Sequence, residues 1–198
     1  MTFQLAACAK MLWRDRPMEW RASALKERGL GVGQWNRPAW DLAKLEKTGA
    51  TFTIMNGYLV GRLAEDEGAD MLLASARETA AVGKRLGVHR LNLHGTGLGD
   101  GGIPIWNRPE LRINLDLYHT QIGEGDVIRW CEKCLPWIGE VQVADTPGRC
   151  EPGTGEMNDP AIAKALTATG DAGPVGFEGF AAGDPDTALT AFRNLFTM

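Results

Sequence analysis

Short apolar and β-branched runs alternate along the chain with stretches of helical spacing. The runs predict strands at about 3–9, 31–36, 51–57, 90–96, 112–118, 140–145 and 173–180. Hydrophobic positions three and four apart predict helices between most of them, at about 18–28, 41–48, 69–86, 127–137, 159–169 and 184–196. Asp184 before Pro185, and Asp159 before Pro160, read as helix N-caps with proline in the first helical position. Gly29, Gly49, Gly87, Gly139 and Gly170 each sit just past a helical stretch, where a left-handed residue closes the helix. Alternation repeated this often predicts parallel strands joined by right-handed crossovers. A β/α barrel and an open doubly wound sheet both satisfy that rule. No low-complexity linker divides the sequence, so residues 1–198 read as one domain.

One interval breaks the rhythm. After the strand ending near His94, residues 95–109 carry Gly95, Gly97, Gly99, Gly101 and Gly102 with Pro104 and Pro109, and these exclude a crossover helix. A strand nevertheless follows at once, although a parallel neighbour needs a connection of a dozen or more residues. A full eight-unit barrel typically runs to about 250 residues. This chain has 198, and it reads as lacking about one unit.

The faces of the strands carry the next clue. A strand covered on both faces is nearly all apolar, yet several here alternate. Ile113, Leu115 and Leu117 oppose Asn114, Asp116 and Tyr118; Val141 and Val143 oppose Gln142; Leu91 and Leu93 oppose Asn92 and His94; Val175 and Phe177 oppose Glu178. With the apolar faces against helices, the polar ones converge near the carboxyl ends of the strands, where β/α proteins place their sites. Asp116, Gln142 and Glu178 offer the oxygen donors that suit Mg²⁺ or Mn²⁺. A hydrated polar sheet face with ordinary hydrogen bonds would satisfy the same groups.

Composition narrows the function classes. With 44% hydrophobic and 23% charged residues the chain has the makeup of a folded globular protein. A net charge of -4 gives no reason to expect nucleic acid. No run approaches the ~18 apolar residues of a membrane span. The start has no basic region and Lys10 interrupts its apolar run, so no signal peptide is expected. Four cysteines in this length fit a reducing cytoplasm.

Several segments together resemble a known family. INLDLYHTQ (113–121), EVQVADTPGRCEPGTGE (140–156) and GFEGF (176–180), with LAACAKMLW (5–13), TIMNG (53–57) and LNLHG (91–95) upstream, resemble hydroxypyruvate isomerase. That family belongs to the sugar isomerase/epimerase superfamily with the xylose-isomerase-like barrel. The resemblance implies an incomplete TIM (β/α) barrel of about seven parallel strands with outer helices. It implies Asp116, Gln142 and Glu178 as ligands of a divalent metal, with Glu178 also the catalytic acid/base. His119 would lie near the substrate's oxygens, and Arg149 and Glu151 would hold its polar end. The implied reaction is proton exchange between adjacent carbons of a small hydroxy-carbonyl or sugar substrate through an enediolate. The family's further glutamate ligand is due between LNLHG and INLDLYH. Only the glycine-rich loop and IPIWNRPEL stand there, and Glu110 reads as a surface residue. A catalytically impaired relative that binds sugar-like ligands is therefore the alternative to an isomerase. DNA-repair endonucleases of the same superfamily hold several zinc ions through many histidines, whereas this chain has three.

The remaining signals are weaker. Asn56 ends a strand and is a candidate substrate contact; His94 faces inward, as either a substrate contact or a structural histidine. Gly97–Gly102 formally matches G-x-G-x-x-G, but no helix opens after it to hold a phosphate. Cys131 and Cys134 form a C-x-x-C that i,i+3 helix packing explains, with no second pair to complete a zinc site. Open strand edges in a seven-stranded sheet need covering, so a homo-oligomer is expected.

Overall fold

The computed structural model describes residues 3–34, 40–61, 66–93, 112–170 and 173–197. His94, the glycine-rich stretch 95–109, Glu110 and the tail of the second predicted strand lie outside them. The described strands are β1 (Gln4–Cys8), β2 (Gly31–Gln34), β3 (Phe52–Asn56), β4 (Leu91–Asn92), β5 (Ile113–Asp116), β6 (Ile138–Val143) and β7 (Pro174–Phe177). The helices are α1 (Met18–Glu27), α2 (Leu42–Thr48), α3 (Asp66–Leu86), α4 (Leu117–Gly123), α5 (Val127–Cys134), α6 (Asp159–Ala168) and α7 (Pro185–Phe196). The chain divides into two compact units, one of Pro17–Pro109 and one joining Met1–Arg16 to Glu110–Met198.

In the unit of residues 17–109, β2, β3 and β4 pair in parallel, and Met55 and Asn56 lie level with Leu91 and Asn92. Val32, Phe52, Ile54, Leu72, Val82 and Leu86 form its core. Asp41 caps α2, and Gly49 ends it in the left-handed conformation at φ 58°. A bidentate Arg85–Glu46 pair at 3.0 Å joins α3 to α2 on the surface. No helix among the described residues is long and apolar enough to cross a membrane.

The other unit holds three of the four strands in which apolar and polar positions alternate, β5, β6 and β7. β1, β7, β6 and β5 lie side by side in that order, all parallel. Leu115, Val141 and Val175 stand level across the sheet, and beyond them Phe177 packs on Phe192 of α7 with ring centroids 5.8 Å apart. The opposite parity brings Asp116, Gln142, Gly176 and Ala6 level on the other face, with Asn114 and Glu140 level one step deeper.

Three local expectations are corrected. The strand predicted over 112–118 ends at Asp116, whose carboxylate accepts the His119 N–H (3.2 Å) and caps α4, so Tyr118 lies on a helix. Gly139 closes no helix; it is a residue of β6, where an added Cβ would come within 2.6 Å of the Arg112 Cβ. The cap of α6 is Asn158, not Asp159, because the Asn158 side chain accepts the Ala161 N–H (3.3 Å).

Asp145, just beyond β6, organises the loop that follows. Its carboxylate accepts four backbone N–H groups, from Thr146 (2.8 Å), Gly153 (3.1 Å), Gly155 (2.7 Å) and Met157 (3.0 Å). Gly155 must be glycine here, because an added Cβ would overlap the Thr146 carbonyl. The expected consequence of Asp145→Ala is a loss of about 2–4 kcal/mol of unfolding free energy. Urea denaturation measures it; wild-type stability in the variant would mean that water replaces the carboxylate without cost.

Candidate active site

Asp116 and Glu178 leave the carboxyl ends of β5 and β7, and Arg149 reaches them from the Asp145 loop. One guanidinium nitrogen, Arg149 Nη2, donates to Asp116 Oδ2 at 3.1 Å and to Glu178 Oε1 at 3.0 Å. Arg149 Nε donates to the Glu178 backbone carbonyl at 3.2 Å, and the guanidinium lies 5.1 Å from the centre of the Tyr118 ring. Arg149 holds a left-handed backbone at φ 52°. A non-glycine residue persists there only where its surroundings determine it. Here the Arg149 carbonyl accepts the Phe180 N–H (2.8 Å), and the strand bridge Asp145–Cys150 closes the loop.

Glu178 has a strongly perturbed environment. Burial pushes its carboxyl up to about 7, and the Asp116 and Glu140 carboxylates push the same way while Arg149 and Lys10 oppose them. Its Oε1 takes the guanidinium, but its Oε2 is buried and accepts no hydrogen bond; the same holds for Asn114 Oδ1 deeper on that face. Cys8, at the end of β1, is pushed up to about 12 by burial and next by the Glu178 charge, which puts its thiol in the same neighbourhood.

The structure thus brings together Asp116, Arg149 and Glu178, with Gln142 buried and level with Asp116. His119 sits on the first turn of α4 with an exposed side chain, Nε2 3.6 Å from Asp116 Oδ2. Glu151 is buried and its Oε2 accepts the Ala182 N–H (2.9 Å), so this carboxylate ties the loop after β6 to the one after β7. Asn56 is buried at the end of β3, in the other unit, level with Asn92. Sequence reasoning missed Glu140, 3% exposed on the polar face, with Oε1 3.2 Å from where a Gly176 Cβ would sit. Its parity with Gln142 was the available signal. Lys10 and Cys8 carried no such pattern.

The donor set suits a hard divalent cation: two carboxylates and an amide, all oxygen, with the buried Glu178 Oε2 lacking a donor. Among the described residues no three His, Cys, Asp or Glu side chains gather as a metal site. A cation here would rest on Asp116, Glu178 and Gln142 and complete its shell with water or substrate.

Solved structures share the fold. An AP endonuclease, family 2, from Brucella melitensis aligns over 98% of this chain and 99% of its own, at 22% identity and a TM-score of 0.82. A fusion protein of a xylose isomerase-like TIM barrel with 4-hydroxyphenylpyruvate dioxygenase aligns over 98% of this chain and 41% of its own, at 19% identity and a TM-score of 0.74. At these identities the likeness defines the fold alone, that of the xylose-isomerase-like TIM barrels.

Sequence similarity reaches particular enzymes. The chain is 40% identical to the hydroxypyruvate isomerase of Escherichia coli strain K12 over 68 residues, 34% of this chain and 26% of that protein. It is 38% identical to the 2-oxo-tetronate isomerase of Cupriavidus necator over 68 residues, again 34% of this chain and 26% of that one. The matched stretches span about a quarter to a third of the relatives' own length. No protein-family model matches the chain.

The Glu178 environment sets a pH dependence. A carboxyl raised from 4.5 to about 7 by folding costs nothing while protonated, and its cost grows as the pH climbs between those values and is complete above 7. Metal-free wild type is therefore expected to lose about 2–3 kcal/mol more stability between pH 5 and pH 8 than Glu178→Gln. Denaturation at the two pH values checks this, and parallel losses in the two proteins would contradict it.

Proposed function

We propose that the chain is an isomerase of small 2-hydroxy-carbonyl acids that works with Mg²⁺ or Mn²⁺. The observation that carries the reading is the meeting of Asp116 and Glu178 on one nitrogen of Arg149, with a second Glu178 oxygen buried and accepting no hydrogen bond. Asp116, Gln142 and Glu178 would hold the cation, which supplies stabilisation of the negative charge that develops on the substrate's oxygens. Glu178 moves the proton between adjacent carbons, taking it from one and returning it to the other through an enediolate. In the metal-free protein that carboxyl is lifted to about 7, and a bound cation would lower it and favour the carboxylate that takes the proton. Arg149 and His119 orient the polar end of the substrate, and Glu151 holds the loop that presents Arg149. The named relatives are isomerases of hydroxypyruvate and 2-oxo-tetronate, so hydroxypyruvate, interconverted with tartronate semialdehyde, is the first substrate to test.

A second reading, a relative that binds such ligands without turnover, is favoured by the small number of acidic ligands gathered among the described residues. The four free cysteines fit a reducing cytoplasm. Exposed Ile122, Trp137 and Phe180 supply apolar surface for a homo-oligomer.

Hydroxypyruvate isomerisation assayed with and without Mn²⁺ decides between turnover and binding. Turnover is expected to require the metal and to fall about 10²–10⁴-fold in Glu178→Gln. Metal-independent turnover would remove the metal from the reading, and no turnover under either condition would remove the isomerase.

A further inference from the structure

Resting on that reading, we infer that Arg149 is an exchangeable internal cation that makes the protein bind its metal and a carboxylate-bearing ligand together. The guanidinium sits against two of the oxygens that would hold a divalent ion. Nη2 alone spans Asp116 Oδ2 and Glu178 Oε1 at 3.1 and 3.0 Å. Mg²⁺ bonds such oxygens at roughly 2.0–2.1 Å, so an ion held by both carboxylates would need the space that Nη2 fills. Guanidinium and metal cannot share that space, and their like charges in a largely buried site oppose joint occupancy.

The exchange has somewhere to go. The Asp116 and Glu178 side chains are only 14% and 15% exposed, while that of Arg149 is 23% exposed and lies 5.1 Å from the centre of the Tyr118 ring. Leaving the carboxylates costs the guanidinium its charged acceptors but not its aromatic support. A planar fork that paired with carboxylates suits another carboxylate, now on the ligand. An anionic ligand therefore repays what metal entry takes away. A neutral polyol of the same size does not, and Arg149 is thereby specificity-determining for acids over sugars.

The test titrates the metal-free full chain with Mn²⁺, reading free Mn²⁺ by electron paramagnetic resonance, alone and with glycerate or glycerol. These are unreactive probes that differ by a carboxylate. Glycerate is expected to tighten Mn²⁺ binding about tenfold and glycerol to leave it unchanged. Arg149→Gln is expected to bind Mn²⁺ alone about tenfold tighter than wild type and to lose the glycerate effect. Equal Mn²⁺ affinity in both proteins, or equal coupling to glycerate and glycerol in wild type, overturns the exchange while leaving the metal reading intact. Absence of Mn²⁺ binding in both proteins overturns the metal reading and the exchange together. The glycerate-against-glycerol comparison uses wild type only and remains decisive if the variant does not fold.

Discussion

Two carboxylates that share one guanidinium nitrogen are the constraint on which the site depends. Asp116 and Glu178 come from strands separated by β6, and their like charges oppose close approach in a place where water is largely excluded. Arg149 offsets that repulsion only in part. Burial above all, and then the Asp116 charge, keep Glu178 lifted to about 7, and its second oxygen accepts no hydrogen bond. The sheet thus holds a group whose charge it does not fully compensate. Perturbed, incompletely paired groups of this kind concentrate at functional sites, which supports the role proposed for Glu178.

The cost of that incomplete pairing is met by the backbone around it. Parallel register sets Asp116 level with Gln142 and Gln142 level with Gly176, so the donors converge without a flexible segment between them. Arg149 cannot come from a strand, because it must reach back over the strand ends. Asp145 solves this by accepting from four backbone N–H groups, and Glu151 fastens the same loop to Ala182. Gly179 completes the junction: an added Cβ would lie 2.9 Å from the Arg149 carbonyl and closer still to the Phe177 ring.

Much of this was legible from residue parity. The alternation of Leu115 with Asn114 and Asp116, and of Val141 and Val143 with Gln142, defines the polar face from the sequence alone, because side chains in a strand can only alternate. What the pattern hid was local competition. Leu117 and Tyr118 extend a β-like run, but the Asp116 carboxylate caps the chain into α4 and the cap prevails. Gly139 resembled a helix terminator because glycine is equally at home where an Arg112 side chain crosses a strand. Glu140 shared Gln142's parity and was overlooked, since a buried acid is seldom expected without a visible partner. The roles of Arg149 and Glu151 came from family resemblance; no spacing rule separates the arginine that reaches the carboxylates from the glutamate that pins a loop.

The most direct test is a double-mutant cycle of Arg149→Gln and Glu178→Gln on the unfolding free energy of the metal-free protein at pH 8. The arrangement described predicts a coupling of about 1–3 kcal/mol between the two positions. Changes that add to within about 0.5 kcal/mol would mean the two side chains do not meet, and the site would have no common centre.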